Sequence, residues 1–216
     1  MRKSKFYILG LVISIFIVLF LFSFNSIAEN LNIHKLFGEK NKKINNDKNF
    51  DVVIAKINGY DIHLRDYEMI KSFLALSGKK PKSVDVFDEL KKRIILKNEA
   101  NKRNITVTDE EVKTVIQVNK ENIEKLKNEN PEEVKSFLSY LEGLNMTEDE
   151  YWQSKEVFEV YRQSILKGKV RQAILNELKK NGNFTENELL KKYLDYLENE
   201  KKKLKLEIIR TDLIKD

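Results

Sequence analysis

The side chains able to do chemistry are few in kind and poorly placed to cooperate. The chain has 2 histidines, His34 and His63, and no cysteine. A zinc site needs three or four converging His, Cys or carboxylate ligands, and two histidines this far apart, one of them in an Asn/Lys-rich stretch, do not supply such a set. Without cysteine there is no disulfide, no thiol nucleophile and no bacterial lipoprotein anchor. The 34 Asp/Glu are interleaved with 40 Lys/Arg at helical spacing, the pattern of solvated faces carrying i,i+4 pairs. The 7 glycines never gather into a phosphate-cradling run, and no serine sits in a nucleophile elbow. The expectation is a protein that is not an enzyme and needs no metal or cofactor.

Apolar side chains offer a different chemistry. Phe137, Tyr140 and Leu141 share one helical stripe, and Phe158, Tyr161 and Ile165 share another. Phe73 with Leu74, and Tyr151 with Trp152, add further large groups. Such residues either fill a core or line a groove for apolar peptide segments. The groove reading names Phe73, Phe137, Tyr140, Leu141, Trp152, Phe158 and Tyr161 as candidate peptide-binding residues, and the core reading stands beside it for each.

Strong local signals define the elements that would position these side chains. Val53–Ile57 and Tyr60–Ile62 flank Asn58-Gly59, a two-residue hairpin turn in which both residues tolerate positive φ. A lone hairpin is unstable and needs a further strand or a helix. The other strand-like run is Leu204–Arg210, so the first and last strands are expected to pair. Between them, "VTDEEV", "MTEDEY" and "FTENEL" place Thr108, Thr147 and Thr185 three residues before Glu111, Glu150 and Glu188. Each is a capping box with a hydrophobic staple. Asn130-Pro131 opens another helix, while Asn104, Gly143 and Gly182 can end helices in the left-handed conformation. The helices are expected near 64–77, 84–103, 109–128, 131–142, 148–180 and 186–202. Gly168 would bend or divide the long one.

Charge and hydropathy divide the chain into three parts. Phe6 to Phe24 is a run of nineteen residues without a charge, preceded by Arg2, Lys3 and Lys5. As a helix it spans about 28 Å, close to a bilayer core, and its basic flank stays in the cytoplasm. Residues 1–28 are therefore expected to be a transmembrane signal-anchor or, with cleavage after Ala28, a signal peptide. The remainder would then be extracytoplasmic, either on a single-pass membrane protein or secreted. Residues 29–50 are polar and poorly periodic, and read as a flexible tether. Residues 51–216 read as one helical domain. Residues 1–50 hold eight Lys/Arg against three Asp/Glu, leaving 32 against 31 for the domain. A nearly neutral domain without a basic block argues against nucleic-acid binding.

"VIAKINGYDIHLRDYE" resembles the start of SurA-type N-terminal chaperone domains, with Ile57-Asn58-Gly59 at the strand end and turn, Ile62 at the following apolar position and Tyr67 in the first helical turns. The likeness continues through Phe87–Ile116 and Met146–Val170. It implies a mainly α, multi-helix domain whose first strand pairs with a late strand in a small antiparallel sheet. It also implies an ATP-independent holdase or foldase for unfolded exported proteins, as in the SurA and PrsA foldases. Many relatives carry a parvulin prolyl-isomerase domain after the helix matching Glu186–Lys202. Here that helix runs directly into "LKLEIIRTDLIKD", so binding without isomerase catalysis is expected. A homodimer is compatible with this reading. An anchored adaptor for one folded partner is the alternative.

Overall fold

The computed structural model describes residues 29–77, 80–180, 182 and 184–214. Over these the protein is mainly helical, with one small antiparallel sheet. The order is α1 (Glu29–Asn46), β1 (Val53–Ile57), β2 (Tyr60–His63), α2 (Leu64–Ala75), α3 (Ser83–Lys102), α4 (Asp109–Glu129), α5 (Pro131–Leu144), α6 (Glu148–Gln153), α7 (Lys155–Lys180), α8 (Glu186–Lys203) and β3 (Leu206–Ile208). Among the described residues no helix is long and apolar enough to cross a membrane. The run from Phe6 to Phe24 lies outside them.

The three Thr-initiated helices begin where their capping boxes place them. Thr108, Thr147 and Thr185 each accept from the backbone N–H three residues on, at 3.2, 3.3 and 3.3 Å. In return the carboxylates of Glu111, Glu150 and Glu188 accept from the three threonine N–H groups at 2.9, 2.7 and 2.8 Å. Two otherwise unpaired donors are satisfied at each start. The hairpin also forms as expected, with Asn58 at φ 52 and Gly59 at φ 86.

The strand order is β2-β1-β3, all antiparallel. Ala55 stands opposite Ile62 on one side and Ile208 on the other, and Ile57 opposite Tyr60 and Leu206. Asn58 N–H donates to the Lys205 carbonyl at 2.9 Å, and Ile209 N–H to that of Ile54 at 2.8 Å. These bonds tie the first strand to the last.

Four expectations are corrected. Residues 29–46 form a helix where composition suggested a tether. Its asparagines and Gly38 lower helix propensity, but His34, Gly38 and Asn41 turn to one face and are buried, and packing outweighs propensity. Gly143 does not end its helix: α5 runs to Leu144 and stops at Asn145, which takes the left-handed conformation at φ 55, ψ 49. The long helix breaks at Ser154 rather than at Gly168. Ser154 is extended (φ −70, ψ 143), and its hydroxyl accepts from Val157 N–H at 3.2 Å, capping α7, which continues through Gly168. Finally, residues 51–216, expected as one domain, are divided between two compact units. The described chain forms two compact units, one of residues 29–43 with 106–166, the other of residues 44–105 with 167–214.

The first, helical unit is built on Val112, Ile123, Val134, Phe137, Leu141 and Leu144, with Trp152, Val157 and Tyr161 closing the core. The second carries the sheet. There Ile54, Ala55, Ile57 and Ile62 pack on Tyr67 and Ile70 of α2 and on Val86, Phe87, Leu90 and Ile94 of α3.

Candidate functional site

The aromatic residues expected to line a groove are mostly inside the helical unit. Phe137, Leu141, Trp152 and Tyr161 are buried, with Trp152 8% exposed. Tyr140 and Phe158 are half-buried. Phe73 belongs to the other unit, on α2, and is 36% exposed. Four of the seven are therefore withdrawn from the surface.

Their packing explains the burial. Phe137 meets Tyr151 edge-on at 5.3 Å between ring centroids and Trp152 at 5.6 Å. Tyr151 also meets Tyr140 edge-on at 6.3 Å, and Trp152 meets Tyr161 at 6.4 Å. Tyr140 stacks on Phe37 of α1 at 5.4 Å. These are the offset and edge-to-face contacts by which aromatic pairs add stability beyond area burial. The break at Ser154 allows this arrangement, because it frees the short α6 to set Tyr151 and Trp152 against α5. Phe137, Leu141, Trp152 and Tyr161 thus follow the core reading.

Burial sets the electrostatics of this cluster. Burial pushes the Tyr140, Tyr151 and Tyr161 phenols up from their ordinary value, and Tyr151 is raised further by Tyr161 and Tyr140. All three are held neutral. His34 is 3% exposed, and burial lowers its pKa. Its Nδ1 has no hydrogen-bond partner among the described residues. Asn41, one helical turn further along the same face as Gly38, donates from Nδ2 to the Tyr140 hydroxyl at 3.2 Å. Among the described residues no group of His, Asp or Glu side chains could hold a metal ion.

Two clusters of charged groups in the second unit are paired. The Lys201 ammonium contacts Asp88 at 2.9 Å and Glu198 at 2.7 Å. Burial alone would lower its pKa, but hydrogen bonds to the two carboxylates outweigh that and leave it raised. Arg103 bridges Glu99 and Glu177, the latter at 2.5 Å.

Apart from Phe73, the large apolar side chains left in solvent among the described residues are ones that stripe-reading overlooked. Leu36, Leu138 and Val160 are exposed on the helical unit. Val84, Leu190, Leu194, Ile208 and Ile209 are exposed on the sheet-bearing unit, together with Phe73. Leu190 and Leu194 lie one turn apart on α8, beside the buried stripe Leu189, Tyr193 and Leu197. A signal for them existed in the sequence: α8 carries more leucine than one apolar stripe can use. Set against protein-family models, curated proteins and solved structures, the chain finds no match in any of the three comparisons.

Proposed function

We propose that this protein is a membrane-tethered, extracytoplasmic chaperone that holds unfolded segments of exported proteins without ATP and without prolyl isomerisation. The observation that carries the reading is the pairing of β1 with β3. It joins a hairpin entrance to a late strand across a series of capped helices, the arrangement implied by the resemblance to SurA-type N-terminal domains. The finer fold assignment belongs to the same proposal, as do the anchor formed by Phe6–Phe24 and its extracytoplasmic orientation.

Because the aromatic cluster is core, the client surface is assigned to the exposed apolar side chains. Leu190 and Leu194 on α8 are the strongest pair, because together they present two leucines to solvent on one face. Apolar contact of this kind is non-directional and accepts many sequences, which suits a holdase.

The test is suppression of aggregation. The full-length chain in lipid nanodiscs should slow aggregation of an unrelated unfolded protein without ATP, and should not accelerate proline isomerisation. Replacing Leu190 and Leu194 by serine should weaken the effect while leaving the melting temperature nearly unchanged. A chain that neither suppresses aggregation nor binds any unfolded peptide at tens of micromolar has another function.

A second reading, an anchored adaptor for one folded partner, is favoured by one observation. The exposed apolar residues occur singly or in pairs on separate elements, and the large aromatics that would make a broad groove are spent on the core. Binding to none of a mixed panel of unfolded peptides, with capture of one folded protein, would select this reading.

A further inference from the structure

We propose that the outer face of α1 lies along an anionic lipid surface, an inference that rests on reading Phe6–Phe24 as the membrane anchor. The apolar run ends at Phe24 and α1 begins at Glu29. Only Asn25 to Ala28 separate them. The five steps from Phe24 to Glu29 span at most about 18 Å even when fully extended, so the first residue of α1 stays within that distance of the end of the apolar run.

The face that α1 turns outward has the chemistry of a headgroup-layer helix. His34, Gly38 and Asn41 point into the helical unit. At 100° per residue the opposite side presents Asn32, Leu36, Glu39, Lys40 and Lys43, with Lys42 on its flank, and all six are exposed. Leu36 is 55% exposed. Between Lys35 and Lys43 the helix holds four lysines against one glutamate; Lys35 is paired with Glu142, which leaves Lys40, Lys42 and Lys43 against Glu39, a local charge of +2. A leucine set among lysines can dip toward acyl chains while the ammonium groups reach lipid phosphates. Basic residues this close to a bilayer are drawn to anionic headgroups, and the attraction is lost beyond a Debye length. Lying down keeps Lys40, Lys42 and Lys43 near the phosphates. Standing upright would lift Lys43 roughly 20 Å above Glu29, at about 1.5 Å per residue, and out of that range.

The absence of cysteine makes the test direct. Leu36→Cys, and separately Asn32→Cys, which keeps Leu36, each give the full-length chain a single thiol for a polarity-sensitive fluorophore. The labelled chain is reconstituted into vesicles of phosphatidylglycerol with phosphatidylcholine, or of phosphatidylcholine alone. The expected result is blue-shifted emission, quenched several-fold more by brominated lipid, in the anionic vesicles. Lys42→Glu with Lys43→Glu, or about 0.5 M salt, should return the emission to its value in water. Equal emission in the two lipids, from chain that stays with the vesicles after an alkaline wash, overturns the proposal and leaves the anchor standing. Release of the chain into the wash overturns the anchor reading, and this one with it.

Discussion

Gly38 on α1 and Gly143 on α5 meet backbone to backbone. A β-carbon on Gly38 would overlap the Tyr140 carbonyl oxygen, and one on Gly143 would overlap that of Lys35. The obstacle in both cases is main chain, which cannot swing aside as a side chain can. Lys35 and Glu142 add an ion pair beside the crossing, and Asn41 reaches the Tyr140 hydroxyl.

Gly143→Ala should therefore destabilise the protein. Alanine in a helix interior is worth about 1 kcal/mol over glycine, yet the overlap should force α1 away from α5 at a cost of about 1–3 kcal/mol beyond that gain. Urea unfolding measures the difference. A Gly143→Ala protein more stable than the parent would mean that α1 does not pack here.

Each capping threonine should contribute separately. Thr108→Ala, Thr147→Ala and Thr185→Ala should each cost about 0.5–2 kcal/mol by removing the N-cap acceptor. Thr185 lies in a different unit from the other two, so its effect should add to theirs. Three neutral substitutions would contradict the helix starts.

Removing residues 204–216 should cost several kcal/mol, because it unpairs β1 along one edge and exposes apolar surface beneath Leu204, Leu206, Leu213 and Ile214. An unchanged melting temperature would refute the importance of the β1–β3 pairing.

His34 should make stability fall in mild acid. Burial depresses its pKa below the ordinary histidine value of about 6.5, so the unfolded chain binds a proton more readily than the folded one. The stabilisation is then present above about pH 6.5 and is lost as pH falls from there through the folded pKa. Thermal melts between pH 7.5 and 5 should show the decline, and His34→Phe should flatten it. An equal decline in His34→Phe assigns the effect to other groups.

The core and surface assignments of the aromatic and leucine residues should separate by readout. Phe137→Ala or Trp152→Ala should cost about 3–5 kcal/mol, as truncation of a buried aromatic does. Leu194→Ser, on the exposed face of α8, should stay within about 0.5 kcal/mol of the parent. Circular dichroism during denaturation compares them.

Much of this fold is legible in the sequence because the interactions involved are short. A Thr–Glu capping box closes within four residues, and an Asn-Gly turn within two, so Thr108, Thr147, Thr185 and Asn58-Gly59 mark their elements without help from the rest of the chain. The match of β1 to β3 could be read as well, because Leu204–Arg210 was the one strand-like run left to cover the hairpin. Tertiary structure decided what depends on distant partners. Residues 29–46 are helical because Gly38 finds the backbone of α5 more than a hundred positions away, and Gly143 is a contact point rather than a stop for the same reason. Ser154 divides a helix that periodicity alone would continue, since the break lets Tyr151 and Trp152 reach Phe137 and Tyr140. The same stripe pattern describes a groove and a core equally well. Only the facing of one helix against another put Phe137, Leu141, Trp152 and Tyr161 inside and left Leu190 and Leu194 in water.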